Sequence, residues 1–145
     1  MTPTPAQTKH RNRLWAQALV ENRKKARGKM KDAKTGGRCC LRVAEDLALQ
    51  LLPADVTRDY TRNPSLPATM IYDFYGWYND GKYDNDSEKV PMLELPDGGA
   101  EDATTLNDSY AYKGKDNGLS HAAIAECVLN TFVHPKKQKW SLLKK

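Results

Sequence analysis

The sequence predicts an α+β fold: three main helices packed on a small antiparallel sheet, with long loops and a disordered N-terminus. Apolar residues recur at helical spacing in three separate stretches, near 9–26, 41–52 and 120–132. Between them lie an aromatic, β-branched run from Thr69 to Tyr78 and a short apolar run from Val90 to Leu95, each followed by turn residues. A length of 145 residues, a 39% hydrophobic fraction and a mean hydropathy of -0.75 suit one domain with a modest core. The expected organisation is a disordered tail over 1–8, a single domain over 9–133 and a basic C-terminal tail over 134–145.

Residues 1–8 carry two prolines and three threonines without an apolar period, hence the loose N-terminus. From Lys9 to Ala26, the spacing of Leu14, Trp15, Ala18 and Leu19 predicts an amphipathic helix anchored by Trp15 and ended by Gly28. Lys29 to Lys31, the turn Asp32 to Gly37 and a return arm from Arg38 predict a small hairpin. The return arm runs into a second helix, Leu41 to Leu52. Cys40, Val43, Ala44, Leu47, Ala48 and Leu51 form its inner face, Arg42, Glu45, Asp46 and Gln50 its outer face, and Pro53 ends it. Residues 53–68 read as a proline-rich loop, Thr69 to Tyr78 as a strand, and Asn79 to Tyr83 as its turn and return. Pro96 to Gly99 closes the Val90–Leu95 segment. Ser120 then caps a third helix that reaches Phe132, with Ile124, Cys127 and Val128 inward. The predicted core is Trp15, Leu19, Leu41, Ala44, Leu47, Leu51, Ile124 and Val128.

Charge is segregated along the chain. Residues 1–38 hold eleven Lys/Arg against Glu21 and Asp32, residues 39–133 hold seven against sixteen acids, and 134–145 add five lysines. Either the basic ends fold back on the acidic middle or they form a positive face that attracts phosphate. The three cysteines, Cys39, Cys40 and Cys127, are expected reduced, and their spacing does not suit a tetrahedral metal site. No run approaches the roughly 18 apolar residues that cross a bilayer, so a soluble protein with no membrane association is expected.

Motifs of catalysis are incomplete. Asp84 to Glu88 starts like a calcium loop, but Lys89 and Leu95 stand where glycine and glutamate are required. Lys113 to Gly118 lacks the residue order of a phosphate-binding P-loop. Cys39 or Cys40 with a histidine, and Asp108 with His121, have no motif around them. No enzyme activity, catalytic residue, metal or cofactor is therefore expected. Arg27, Lys29 and Arg38, with Tyr72, Phe74 and Trp77 as an aromatic platform and Asn107 and Asp108 as hydrogen-bonding groups, are the candidate ligand-binding residues. In the C-terminal tail, Trp140, Leu142 and Leu143 are candidate docking residues.

Two segments resemble a family of small, uncharacterised bacteriophage proteins. One is the Cys39-Cys40-Leu41 helix with Val43, Asp46 and Leu47; the other is Leu106-Asn107-Asp108, then Gly118, Leu119, Ser120, Ile124 and Ala125. Members commonly carry glycine where this chain has Arg42 and often cysteine where it has Glu45. The resemblance implies a phage accessory protein in the host cytoplasm and brings no catalytic residue. The expected function is a non-enzymatic module that captures a nucleotide-like ligand or inhibits a host protein, the alternative being nonspecific nucleic-acid binding through the basic termini. The oligomeric state is left open.

Overall fold

The computed structural model describes residues 3–22, 24–27, 29–62, 67–77, 90–134 and 140–143. In chain order these form helices α1 (Pro5–Glu21), α2 (Cys40–Leu51), α3 (Ala54–Thr57) and α4 (Thr69–Tyr75), strands β1 (Met92–Glu94) and β2 (Ala100–Asp102), then α5 (Ala103–Asp108) and α6 (His121–Val128). Past α6 the chain widens into a π-helix over Leu129–Val133. The architecture is α+β, helices around a two-stranded antiparallel hairpin in which Met92 pairs with Asp102 and Glu94 with Ala100.

Helix α1 starts before Lys9. Thr4 and Gln7 form a reciprocal capping box, with Gln7 N donating to Thr4 Oγ1 at 3.1 Å and Thr4 N to Gln7 Oε1 at 2.9 Å, and Pro5 suits the first turn. Residues 5–8, expected in the loose tail, are therefore helical. The helix ends at Glu21 rather than Ala26. Asn22 folds its Nδ2 back onto Ala18 O at 2.7 Å, and Lys24 O is taken by Arg38 N at 3.1 Å. The expected terminator, Gly28, lies outside the described residues. Trp15 is fully buried, as its place on the stripe predicts, and donates Nε1 to Cys40 O at 3.0 Å. The most extensive contact of α1 is with α6.

The hairpin after α1 survives as a single bridge, Lys31 to Arg38, flanked by Cys39 N donating to Met30 O at 2.9 Å. The run Thr69 to Tyr75 is a helix, not the predicted strand. Helical spacing turns Ile71, Tyr72, Phe74 and Tyr75 into the interior together, where a strand would split them between two faces. β-propensity depends on context, and here burial against α1 decides. Gly76 ends α4 at φ +67, and a Cβ there would come within 2.5 Å of Thr8 Oγ1. Asn12, fully buried, holds that end: its Nδ2 donates to Tyr75 O at 3.0 Å and its Oδ1 accepts Trp77 Nε1 at 2.9 Å. The predicted return at Asn79 to Tyr83 lies outside the described residues. The 53–68 loop contains the short helix α3, and the sheet is built from the Val90–Leu95 segment with Ala100–Asp102.

Of the predicted core, Trp15, Leu19, Leu41, Ala44, Ile124 and Val128 are buried. Leu47 is only partly covered, and Leu51 is 50% exposed because α2 turns its last residue beyond the reach of its neighbours. Glu45, read as an outer-face residue, is fully buried. It accepts from Tyr60 Oη at 2.5 Å and from Arg62 Nη1 at 2.6 Å, so its charge is paired inside. The C-terminal segment is docked rather than loose where it is described. Buried Glu126 accepts the backbone N–H groups of Ser141, Leu142 and Leu143, the last at 2.9 Å, and Leu143 is 2% exposed.

Candidate phosphate-binding surface

The predicted site residues divide into three groups. Tyr72, Phe74 and Trp77 are core residues, at 5, 6 and 5% exposure. Trp77 packs on Trp15 with ring centroids 4.8 Å apart and on Tyr75 at 4.7 Å. The face of Phe74 is taken by the Arg11 guanidinium, 4.2 Å from the centroid. These rings hold α4 to α1 and offer no stacking platform. Arg38 is also spent internally: it pairs with Asp46 and bonds Asn22 Oδ1, tying the entrance of α2 to the end of α1. Part of the basic segment thus does fold back on the acidic middle. Burial pushes the Asp46 carboxyl up, but Arg38, Arg62 and Arg42 together hold it below its ordinary value.

Arg27, Lys29, Asn107 and Asp108 do come together, at the start of α2. A cavity of about 90 Å³ lies there, lined by Lys29, Cys39, Cys40, Thr104, Asn107 and Asp108 among others. Asn107 organises it. Its Oδ1 accepts Cys40 N at 3.0 Å, and its Nδ2 donates to Ala26 O and to Asp108 Oδ1, both at 2.7 Å. Arg27 Nε donates to Asp108 O at 3.0 Å, which fixes the basic segment against the end of α5. Gly118 completes the joint. At φ +81 its backbone sits so close to Asn107 O that a Cβ would fall 2.2 Å away.

Sequence reasoning missed Lys25. Its Nζ donates to Asn117 O and Leu119 O, both at 3.0 Å, bringing the basic 24–34 segment beside the 112–119 loop. Burial and the neighbouring Arg27 lower its pKa. Lys24, Lys29, Lys31 and Lys34 are exposed, and none forms an ion pair among the described residues. The single hint in the sequence was the crowding of cations into 23–38, far more than a hairpin needs for solubility.

The thiols are poor nucleophiles. Burial pushes Cys39 up to about 11 and Cys127 up to about 12, and raises Cys40 well above the usual thiol value. Cys39 serves as the N-cap of α2, its Sγ accepting Arg42 N at 3.4 Å. His121 is buried and its Nδ1 donates to the Asn22 carbonyl, so it is not joined to Asp108. Burial lowers its pKa. Among the described residues, no group of three or more His, Cys, Asp or Glu side chains could hold a metal ion, and no helix is long and apolar enough to cross a membrane. No family model, curated protein or solved structure matches this chain.

Proposed function

We propose that this protein is a non-enzymatic binding module that recognises a phosphorylated ligand through the lysines of its 24–34 segment. The observation that supports this reading is the contrast within one segment: Lys25 and Arg38 are consumed by internal contacts, whereas Lys24, Lys29, Lys31 and Lys34 stay exposed and form no ion pair among the described residues. Lys29 also stands at the rim of the 90 Å³ cavity. Small-molecule sites usually span about 300–1,000 Å³. This cavity suits a phosphate group, and the rest of the ligand would lie across the outer lysines. A phage accessory role in the host cytoplasm, acting on a nucleotide-like ligand or a host protein, is part of the same proposal and rests on the two motif segments.

A second reading, nucleic acid held by its backbone, is favoured by the buried aromatics: without a stacking ring, charge is what this surface has to offer. Calorimetry of the protein with a panel of nucleotides and with a short DNA duplex, at two salt concentrations, separates the two. A nucleotide that binds with modest salt dependence, and is lost in Lys29→Ala, supports the first. Duplex binding whose log affinity falls against log salt with a slope of about 0.9 per neutralised phosphate, with Lys29→Ala reducing the slope by about one, supports the second. No binding in either arm would overturn phosphate recognition and leave a host protein as the target.

A further inference from the structure

A second cavity, lined in part by Asn117 and Leu119, whose carbonyls hold Lys25, has a different character. It is an open cleft of about 410 Å³ between the 112–120 loop, the start of α6 and the docked segment ending at Leu143. Its floor is aliphatic, from Leu119, Ala123 and Leu143, and its rim carries Lys113, Lys115 and Asn117. The rim is shaped by a tight turn. Tyr112 N donates to Lys115 O at 2.7 Å and Lys115 N to Tyr112 O at 3.1 Å, with Lys113 at φ 53 and Gly114 at φ 79 between them. This turn sets Lys113 Nζ 5.3 Å from the centre of the Tyr112 ring. Neither lysine is in an ion pair among the described residues.

We infer that this cavity is a binding site for a small amphipathic anion, a phosphate or carboxylate joined to an apolar ring. The volume lies within the range of small-ligand sites, unlike the cavity at Lys29. Two ammonium groups on one rim, with no carboxylate among the lining residues, select negative charge. An aliphatic floor rewards an apolar body, and it excludes a bare inorganic ion as the best occupant. One wall of the cavity is the segment held by Glu126, so undocking Leu143 removes part of the site. It shares no lining residue with the surface assigned above.

Phenyl phosphate and phenylacetate, with inorganic phosphate and phenol as controls, are the probes, titrated by calorimetry and by amide chemical-shift changes. Phenyl phosphate should bind at least about tenfold tighter than either control, with shifts at Lys113 to Ser120 and Leu142 to Leu143. Comparable binding of phenylacetate would mark the site as general for anions, and its absence as specific for phosphate; both support the site. The Lys113→Ala/Lys115→Ala double variant should lose about tenfold or more. Ala122→Leu, at a half-exposed position on the wall, should block binding while keeping the wild-type melting temperature. Lys29→Ala should leave it unchanged, which separates this site from the phosphate surface. Binding no tighter than the controls, or unaltered by Lys113→Ala/Lys115→Ala in a folded protein, would overturn the inference.

Discussion

Replacing Asn107 by alanine removes one side chain and orphans two backbone groups. Asn107 is 1% exposed, so the Cys40 N–H that it accepts and the Ala26 carbonyl to which it donates are left inside without partners. A buried polar group stripped of its hydrogen bond costs about 1–3 kcal/mol, which puts the pair at about 2–6 kcal/mol. The adjoining cavity of about 90 Å³ has room for water to reach both groups, so the lower half of that range is the expected loss. For a domain of this size it corresponds to a fall in melting temperature of roughly 6–15 °C. Urea unfolding followed by far-ultraviolet circular dichroism measures the loss directly. A variant within about 0.5 kcal/mol of wild type would refute the assignment of Asn107 as the joint between α2, α5 and the basic segment.

Two further predictions concern ionisable groups. Burial pushes Glu126 up, but the N–H groups of Ser141, Leu143 and Leu142 and the Ser141 hydroxyl outweigh it and hold the carboxyl below 4.5. Its contribution is therefore fully present above that value and lost as pH falls through the lower folded one, so the hydrogen-exchange protection of Leu142 and Leu143, measured against the intrinsic rate at each pH, should fall in acid. In Glu126→Gln that protection should already be reduced at neutral pH; protection equal to wild type would count against the clamp. With Cys39 near 11 and Cys127 near 12, few thiols are ionised at pH 8, and a disulfide reagent should label the native protein slowly and the urea-unfolded protein fast. Rapid labelling of any cysteine in the native state contradicts their burial.

How much of this was legible depended on whether a residue's partner was local. Helix α2 and the place of Trp15 follow from periodicity, because a stripe of apolar side chains has one way to be buried. The aromatic run at 69–75 misled, since residues with high β-propensity also serve a short helix whose every inward position needs bulk. Glu45 shows the limit of reading polarity as exposure: its partners, Tyr60 and Arg62, are 15 and 17 residues away, and nothing in α2 itself announces them. The candidate site was half readable. Asn107 carries the residue type of a turn, but it joins groups 67 and 81 positions distant, a role that only the fold creates. The excess of cations was visible in composition, while the diversion of Arg38 to Asp46 and Asn22 was not.

The pairing of α1 with α6 also has a consequence for how quickly the chain reaches this state. The element with which α1 makes its most extensive contact begins about a hundred residues after Trp15 and Leu19, at His121. Closing so large a loop comes before its reward, and folding rates fall as such distant contacts come to dominate. The part of α1 that faces α6 stays uncovered until residues 121–133 have been synthesised, although Tyr75 and Trp77 can reach Trp15 earlier. Slow refolding, and association of fragments that lack 121–133 through the uncovered face of α1, are the kinetic signature of this topology.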